Sequence, residues 1–402
     1  MSNKLLSSRT VFGTILILAP QIFSFALALD IYVPSIPAIK QAFDADQGMM
    51  QLTISLFMLI TGLGQLIVGP ISDQIGRRKV VITSILFFIV GSLLGAAAHS
   101  IEFLIFARLV QALGACGMMV STFAIVRDLF SGDDCGEVYS FLNSSIALSP
   151  LLAPLAGGYI QYWFNWQASF IFLALIGIII LISAVVNINE TLAPDNRRNF
   201  KKELFIDYWF VLKHKKFLTY NFCAAAGFAG FLTFFSASSY IIISLLGIPE
   251  QHFGFYFAAI GIIFFIGSLI SGYCAKHIGT YKTVVAGACL MTLSGLVMLA
   301  WYWKFGLSAA AFMGPMMIMG IGGAFLMGAG AGGAIEPFPE MAGTASALFG
   351  CTQFVFAVVI AQFVMEWNVK STVPLGYTLV TLGLLAVIGS LANYKIMRTH
   401  QK

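Results

Sequence analysis

The stretch Gly64-Gln-Leu-Ile-Val-Gly69-Pro-Ile-Ser-Asp73-Gln-Ile-Gly76-Arg77-Arg78-Lys79 lies between two long apolar runs. Gly64 and Gly69 let two helix backbones approach closely. Asp73 and the Arg77-Arg78-Lys79 cluster then make a tight charged turn whose ion pairs can form and break as the helices move. A plain basic loop that keeps positive charge on one side of a membrane is the simpler reading of the same residues. Both readings put the flanking runs in a bilayer.

Composition agrees. The 402 residues are 59% hydrophobic and 10% charged, with a mean hydropathy of +0.90, whereas soluble domains carry roughly 25% charge. A spanning helix needs about 20 apolar residues, and the chain has room for twelve. They are predicted at 11–37, 49–70, 80–98, 102–125, 137–160, 166–188, 217–245, 252–273, 283–303, 307–332, 343–366 and 374–396.

Eighteen of the twenty-two Lys and Arg residues fall on one side of these spans; Lys40, Lys304 and Lys370 fall opposite, and Arg108 lies within a span. This bias puts both termini and the longest loop in the cytoplasm. The +5 net charge is therefore topological and gives no reason to expect a nucleic-acid partner. Phe12 to Leu29 leads into Asp30-Ile-Tyr-Val-Pro34-Ser-Ile-Pro37 rather than a small-residue cleavage site, so it reads as the first helix and not a signal peptide. The six cysteines have no metal-ligand spacing, and neither a metal nor a disulfide framework is expected.

The opening motif recurs 203 residues on, as Gly267-Ser-Leu-Ile-Ser-Gly272-Tyr-Cys-Ala-Lys276-His277-Ile-Gly279-Thr-Tyr-Lys282. The glycines and the final lysine keep their spacing. A half-chain offset on the same side of the membrane predicts two parallel six-helix halves. The expected organisation is a bundle over 1–188, a cytoplasmic linker over 189–216, in part an amphipathic helix on the inner leaflet, and a second bundle over 217–402. The expected fold is an all-α membrane protein: twelve transmembrane helices in two halves related by pseudo-two-fold symmetry around a central cavity.

Ionisable groups inside spans cost at least a few kcal/mol and usually face a cavity or a partner. Asp30 and Arg108 both fall near the outer ends of their spans, so they are expected to face each other across the first half. Protonating the carboxylate would then release the arginine, a coupling device. The alternative for Asp30 is a helix break ahead of two prolines. Arg127-Asp128 and Glu336, with Glu340, read either as counterparts in an inner salt-bridge gate or as solvated loop charges. Pro150-Leu-Leu-Ala153-Pro154-Leu-Ala-Gly157-Gly158 reads as a kinked, closely packed hinge, with Pro154 and Gly158 as its elements. Glycine-rich Gly320 to Gly333 lacks the Lys-Ser/Thr ending of a phosphate loop and reads as helix packing or a flexible gate.

For a substrate, Tyr32, Gln111, Asn143, Phe231, Phe234, Phe235, Ser239, Tyr240, Gln353 and Phe354 offer aromatic faces with a few polar groups, the mixture that suits a large amphipathic molecule. Each of them alone is equally a packing residue, and Gln111 equally a hydrogen bond between helices.

The opening motif resembles the loop between helices two and three of the major facilitator superfamily, and Arg108-Leu-Val-Gln111-Ala-Leu-Gly114 resembles its helix-four pattern. Pro150 to Gly158 resembles the antiporter motif ending Gly-Pro-x-x-Gly-Gly, with Ala153 in place of its first glycine. Leu29-Asp30-Ile-Tyr32-Val-Pro34-Ser-Ile-Pro37, Arg127-Asp128-Leu-Phe130, Ser149-Pro150-Leu-Leu-Ala-Pro154, Glu190-Thr191-Leu192, Phe253-Gly254-Phe-Tyr256-Phe-Ala258 and Phe338-Pro339-Glu-Met341-Ala-Gly343-Thr344-Ala-Ser346 are similar to the bicyclomycin-resistance (Bcr/CflA) branch of twelve-helix drug:proton antiporters. The resemblance implies a proton-coupling role for Arg108, with Asp30 its expected partner by position, and the expected gating residues are Gly69, Asp73, Gly76, Arg77, Arg78, Arg127, Asp128, Pro154, Gly158 and Glu336. It implies a monomer in the bacterial inner membrane, working by alternating access on protons and a small molecule, with no cofactor beyond the proton gradient. Export of drugs is the expected function; a dedicated siderophore, nucleoside or other metabolite carrier of the same fold is the alternative. A membrane enzyme or receptor is not expected, because no nucleophile–base set or soluble domain accompanies the spans.

Overall fold

The computed structural model describes residues 2–130, 132–192, 203–338, 341–367 and 371–398, without the side chains of 2–11, 132–137, 139, 140, 143, 144, 147, 203–205 and 398. Twelve long helices order the chain: α1 (Ser2–Asp30), α2 (Gln47–Ile75), α3 (Arg77–Ala96), α4 (Ile101–Leu129), α5 (Gly132–Trp163), α6 (Trp166–Asn187), α7 (Lys215–Ser239), α8 (Glu250–Ile278), α9 (Thr280–Phe305), α10 (Ala309–Ile335), α11 (Ala342–Glu366) and α12 (Val373–Ala392). All but α5 carry an apolar window long enough to cross a bilayer, and α5, at 32 residues, is long enough by rise alone. An even number of crossings returns the chain to the face it started from, so both termini share one face, called here the termini face.

Local chemistry sets the helix ends. Asp46, Ser100, Asn165 and Ser308 accept a backbone N–H from the first turn of α2, α4, α6 and α10, which satisfies donors that helix geometry leaves open. Gly76 and Gly279, 203 residues apart, sit at φ 104 and 93 with extended ψ, a conformation reserved for glycine, and each separates two antiparallel helices at the termini face.

The predicted first span overshoots. α1 stops at Asp30, a 3-10 turn covers Val33–Ser35, and a short helix follows over Ile36–Ala42. Pro34 has no N–H to give the Asp30 carbonyl, so the helix ends there. By contrast α2 runs through Pro70 to Ile75, and α4 runs on to Leu129, which puts Arg127 and Asp128 in its last turn. The predicted seventh span divides into α7 and a π-helical segment, Tyr240–Leu245. The part of the predicted linker over 193–202 lies outside the described residues.

Packing repeats between the halves. In the first, α1 packs on α5, α2 on α4, and α3 on α4 and α6; in the second, α7 packs on α11, α8 on α10, and α9 on α10 and α12. α2 against α11 and α5 against α8 join the two sets. Close approach depends on glycine where backbones meet: a methyl on Gly287 of α9 would sit 2.8 Å from the Gly322 carbonyl oxygen of α10.

Candidate functional site

The first half holds a buried polar layer. Arg108 on α4 is fully buried. Its Nη1 donates to the Ala28 carbonyl (2.9 Å) and to Gln111 Oε1 (2.6 Å), and its Nε reaches the Thr53 carbonyl at 3.4 Å. The guanidinium lies over the faces of Phe57 (4.2 Å) and Tyr32 (5.0 Å), where the ring quadrupole stabilises a desolvated cation. Nη2 has no partner. Gln111 passes the network on, donating to Ser92 Oγ at 2.8 Å. Thr53 gives its own proton to the Met50 carbonyl, so Tyr32 must donate in the 2.6 Å bond between the two hydroxyls.

Asp30, the last residue of α1, is 2% exposed and accepts a 2.6 Å hydrogen bond from Ser149 Oγ on α5. No ion pair joins it to Arg108 among the described residues. The two groups that the sequence sets face to face are each held by other partners: Asp30 by a hydroxyl 119 positions away, Arg108 by two carbonyls, one amide and two rings.

The seam between the halves is aromatic. Phe25 of α1 stacks on Phe57 of α2 and on Phe354 of α11, each at 6.2 Å, and Phe354 meets Phe228 of α7 at 5.2 Å. Gly62 makes room: a methyl there would sit 2.8 Å from Phe354 Cβ. Gln353, beside this cluster in sequence, is buried with its Nε2 unpartnered. Of the expected substrate residues, then, Phe354 and Gln353 lie at the seam and Tyr32 and Gln111 in the Arg108 layer. Phe231 packs edge-on against Phe264 of α8, and Phe234 and Phe235 pack on Phe257, all inside the second half. Ser239 is buried with its hydroxyl unpartnered, and the Asn143 side chain lies outside the described residues.

On the termini face, Arg77 opens α3 at 5% exposure. It pairs with Asp73 at 2.5 Å and with Asp128 at 3.0 Å, while its backbone N–H donates to Glu190 Oε1. Thr191 donates to the same Asp128 oxygen, and Arg78 to the Val185 carbonyl. The Glu190 carboxylate fills the space where a side chain on Gly76 would be. Gly69 is in ordinary contact with Val120. Glu336 pairs with Lys216 at 3.0 Å, within the second half. Arg127 is the one of these groups that leans across, its Nη1 beside Gly343 in the first turn of α11. Glu340 lies outside the described residues.

Polar contacts between the halves also occur on the opposite face. Lys40 lies 5.2 Å over the ring of Tyr240 in the π-helical segment, and the Gln161 amide on α5 donates to the Glu250 carboxylate on α8. Gly158 abuts the Glu250 carbonyl, Gly254 the Leu155 backbone, and Gly261 Pro150. Pro154 lies inside α5 between these contacts.

Sequence reasoning missed Phe25, Phe57, Phe228, Ser149, Thr53 and Lys40 as site residues. Only Ser149 carried a signal, as a hydroxyl directly before a proline within an apolar span.

The family model for the Major Facilitator Superfamily matches residues 18–362. A chloramphenicol resistance protein of Pseudomonas aeruginosa is 31% identical over 92% of this chain and 88% of its own length. A bicyclomycin resistance protein homolog of Haemophilus influenzae is 27% identical over 91% of each chain, and multidrug resistance protein D of Escherichia coli is 29% identical over 90% and 91%. A POT family transporter solved in complex with 5-aminolevulinic acid superposes with a TM-score of 0.76 over 97% of each chain at 13% identity, which is a likeness of fold. Twelve helices in two matching sets, charges buried within them and relatives named for drug resistance agree: the chain is a multi-pass membrane transporter, not an enzyme, and belongs to the Major Facilitator Superfamily.

Proposed function

We propose that the chain is a proton-coupled secondary transporter that works by alternating access and exports drugs or other amphipathic small molecules. The observation that carries the reading is Asp30. A carboxyl group 2% exposed, held by one hydroxyl and given no cation, is a proton carrier whose charge state must matter to the packing around it. It ends α1, the helix whose own Phe25 touches Phe354 of the other half, so a change at Asp30 can reach the contact between halves. Arg108 supports the same reading as a fixed positive charge in the same half, with one unpartnered nitrogen.

The aromatic seam suits a ring-bearing amphipathic substrate, and the relatives named for chloramphenicol, bicyclomycin and multidrug resistance support export of such compounds. The excess of Lys and Arg supports an inner-membrane protein with both termini in the cytoplasm. We read the protein as a functional monomer that uses the proton gradient and no cofactor. Asp73, Arg77 and Asp128 then act as the inner gate's first-half anchor, Arg127 as its crossing member, and Pro154 with Gly158 as the outer hinge.

The test is accumulation of a panel of amphipathic drugs in a bacterial host stripped of its own exporters, with and without a protonophore. Wild type should exclude several drugs and lose this with protonophore. Asp30→Asn should be folded, membrane-inserted and unable to exclude them; Arg108→Ala should behave likewise with some loss of stability. Coupled export by Asp30→Asn would remove Asp30 from the mechanism.

A further inference from the structure

The linker ends in a helix, Glu203–Lys213, whose described residues divide by spacing. Val211 is fully buried, and Tyr208 and Leu212 are half-buried against the protein. Ile206, Trp209 and Phe210 are 66%, 59% and 60% exposed and, with Lys213, follow the i, i+3, i+4, i+7 pattern of a single helix face.

The inward face fastens to both halves. Leu66 of α2 would ordinarily bond the N–H of residue 70, but residue 70 is proline, so its carbonyl has no partner within the helix. The Tyr208 hydroxyl donates to that carbonyl across 3.4 Å. On the other side the helix packs against α11, His214 just after it sets its ring edge against Phe338 at 5.1 Å, and Phe210, at the rim of the outward face, reaches the same ring at 6.3 Å. The linker helix thus bridges α2 in one half and α11 in the other.

The outward face directly precedes the apolar helix α7, which starts at Lys215, and the end of a spanning helix is where the headgroup layer is expected. Lys213 extends over the Trp209 ring at 4.9 Å, and Lys215 is exposed two residues on. Trp with Lys over three large apolar groups matches the chemistry of the headgroup layer, where rings enter the acyl boundary and ammonium groups meet phosphate. Arg197, Arg198, Lys201 and Lys202 precede the helix in sequence, outside the described residues, and add charge of the same sign.

We propose that Glu203–Lys213 seats on the anionic headgroup layer of the bilayer through Ile206, Trp209, Phe210 and Lys213, and that this seating holds the Tyr208 hydroxyl on the carbonyl Pro70 leaves open. The helix is a lipid-anchored strap across the seam, and it does not depend on which molecule is transported.

The full chain, reconstituted in vesicles of phosphatidylcholine alone or mixed with phosphatidylglycerol, tests this. The emission lost in Trp209→Phe relative to wild type isolates Trp209 from the other five tryptophans. In mixed vesicles that difference emission should be quenched by lipid brominated near the headgroup and shielded from acrylamide. The lipid quenching should fall about twofold or more in neutral vesicles and in Lys213→Gln with Lys215→Gln. Acrylamide access without lipid quenching overturns the seating, and so does shielding from both quenchers, which would mean that a second copy covers the face. Equal quenching with and without anionic lipid overturns the charge recognition. For the strap, Tyr208→Phe should raise deuterium uptake in α2 around Leu66; unchanged uptake overturns that contact.

Discussion

The two turns at Gly76 and Gly279 share a backbone and differ in most of the charged side chains around it. Both glycines adopt the same positive φ, and both join antiparallel helices on the same face. At the first, Asp73, Asp128, Glu190 and Thr191, which reach solvent, converge around the buried Arg77. At the second, Lys276 stands where Asp73 would be and Thr280 where Arg77 would be. His277 stacks on Tyr273 at 4.0 Å, Tyr281 meets Tyr394 edge-on, and Thr283 bonds the Gly279 carbonyl. Among the described residues the backbone of the turn is shared by both halves, whereas the Asp73–Arg77–Asp128 arrangement belongs to the first.

The largest separation between the halves should come from the cations. Arg77→Ala removes a buried cation from two carboxylates that reach solvent and should cost about 2–3 kcal/mol, the range for lost hydrogen bonds to charged groups. Lys276→Ala, on an exposed stretch, should stay within about 0.5 kcal/mol. Thermal unfolding of both variants in detergent checks the pair, and equal losses would break the asymmetry. Next come the glycines. Gly279→Ala should cost about 1–2 kcal/mol from backbone conformation alone. Gly76→Ala should cost more than Gly279→Ala because it also displaces the Glu190 carboxylate, and the difference between the two melts measures that displacement. The smallest effect is Glu190→Gln, which keeps an acceptor for the Arg77 N–H but removes a negative charge from the start of α3, worth about 0.3–1 kcal/mol. Added salt should erase this loss; a salt-independent loss would point to packing instead.

Much of the fold was legible in the sequence because its solvent is lipid. Apolar run length located the long helices, and the 203-residue repeat matches the repeated turn at Gly76 and Gly279. The end of α1 moved because Pro34 withholds a donor, a local rule that hydropathy averages over. Arg108 and Asp30 were visible as charges in apolar runs. Their partners were not, since Thr53, Ala28 and Ser149 belong to other helices and only tertiary packing selects among the available hydroxyls and carbonyls. Among thirty-seven phenylalanines, nothing local distinguishes Phe25, Phe57 and Phe228 at the seam from Phe231, Phe234 and Phe235 in the second half's interior. Arg127, Asp128 and Glu336 were legible as one charged layer, but Asp128 and Glu336 each pair inside their own half.

Under the alternating access proposed above, the contact between α5 and α8 bears on how sharply the molecule would switch. Gly158, Gly254 and Gly261 press on neighbouring main chain or on a proline ring. Side chains can yield by changing rotamer, but backbone against backbone has no such compliance, and packed interfaces of this kind hold or part as a unit. Opening on that face should therefore resemble a snap fastener more than a hinge with play: few intermediate angles, a sharp threshold, and little leakage of protons or solutes while the threshold has not been reached.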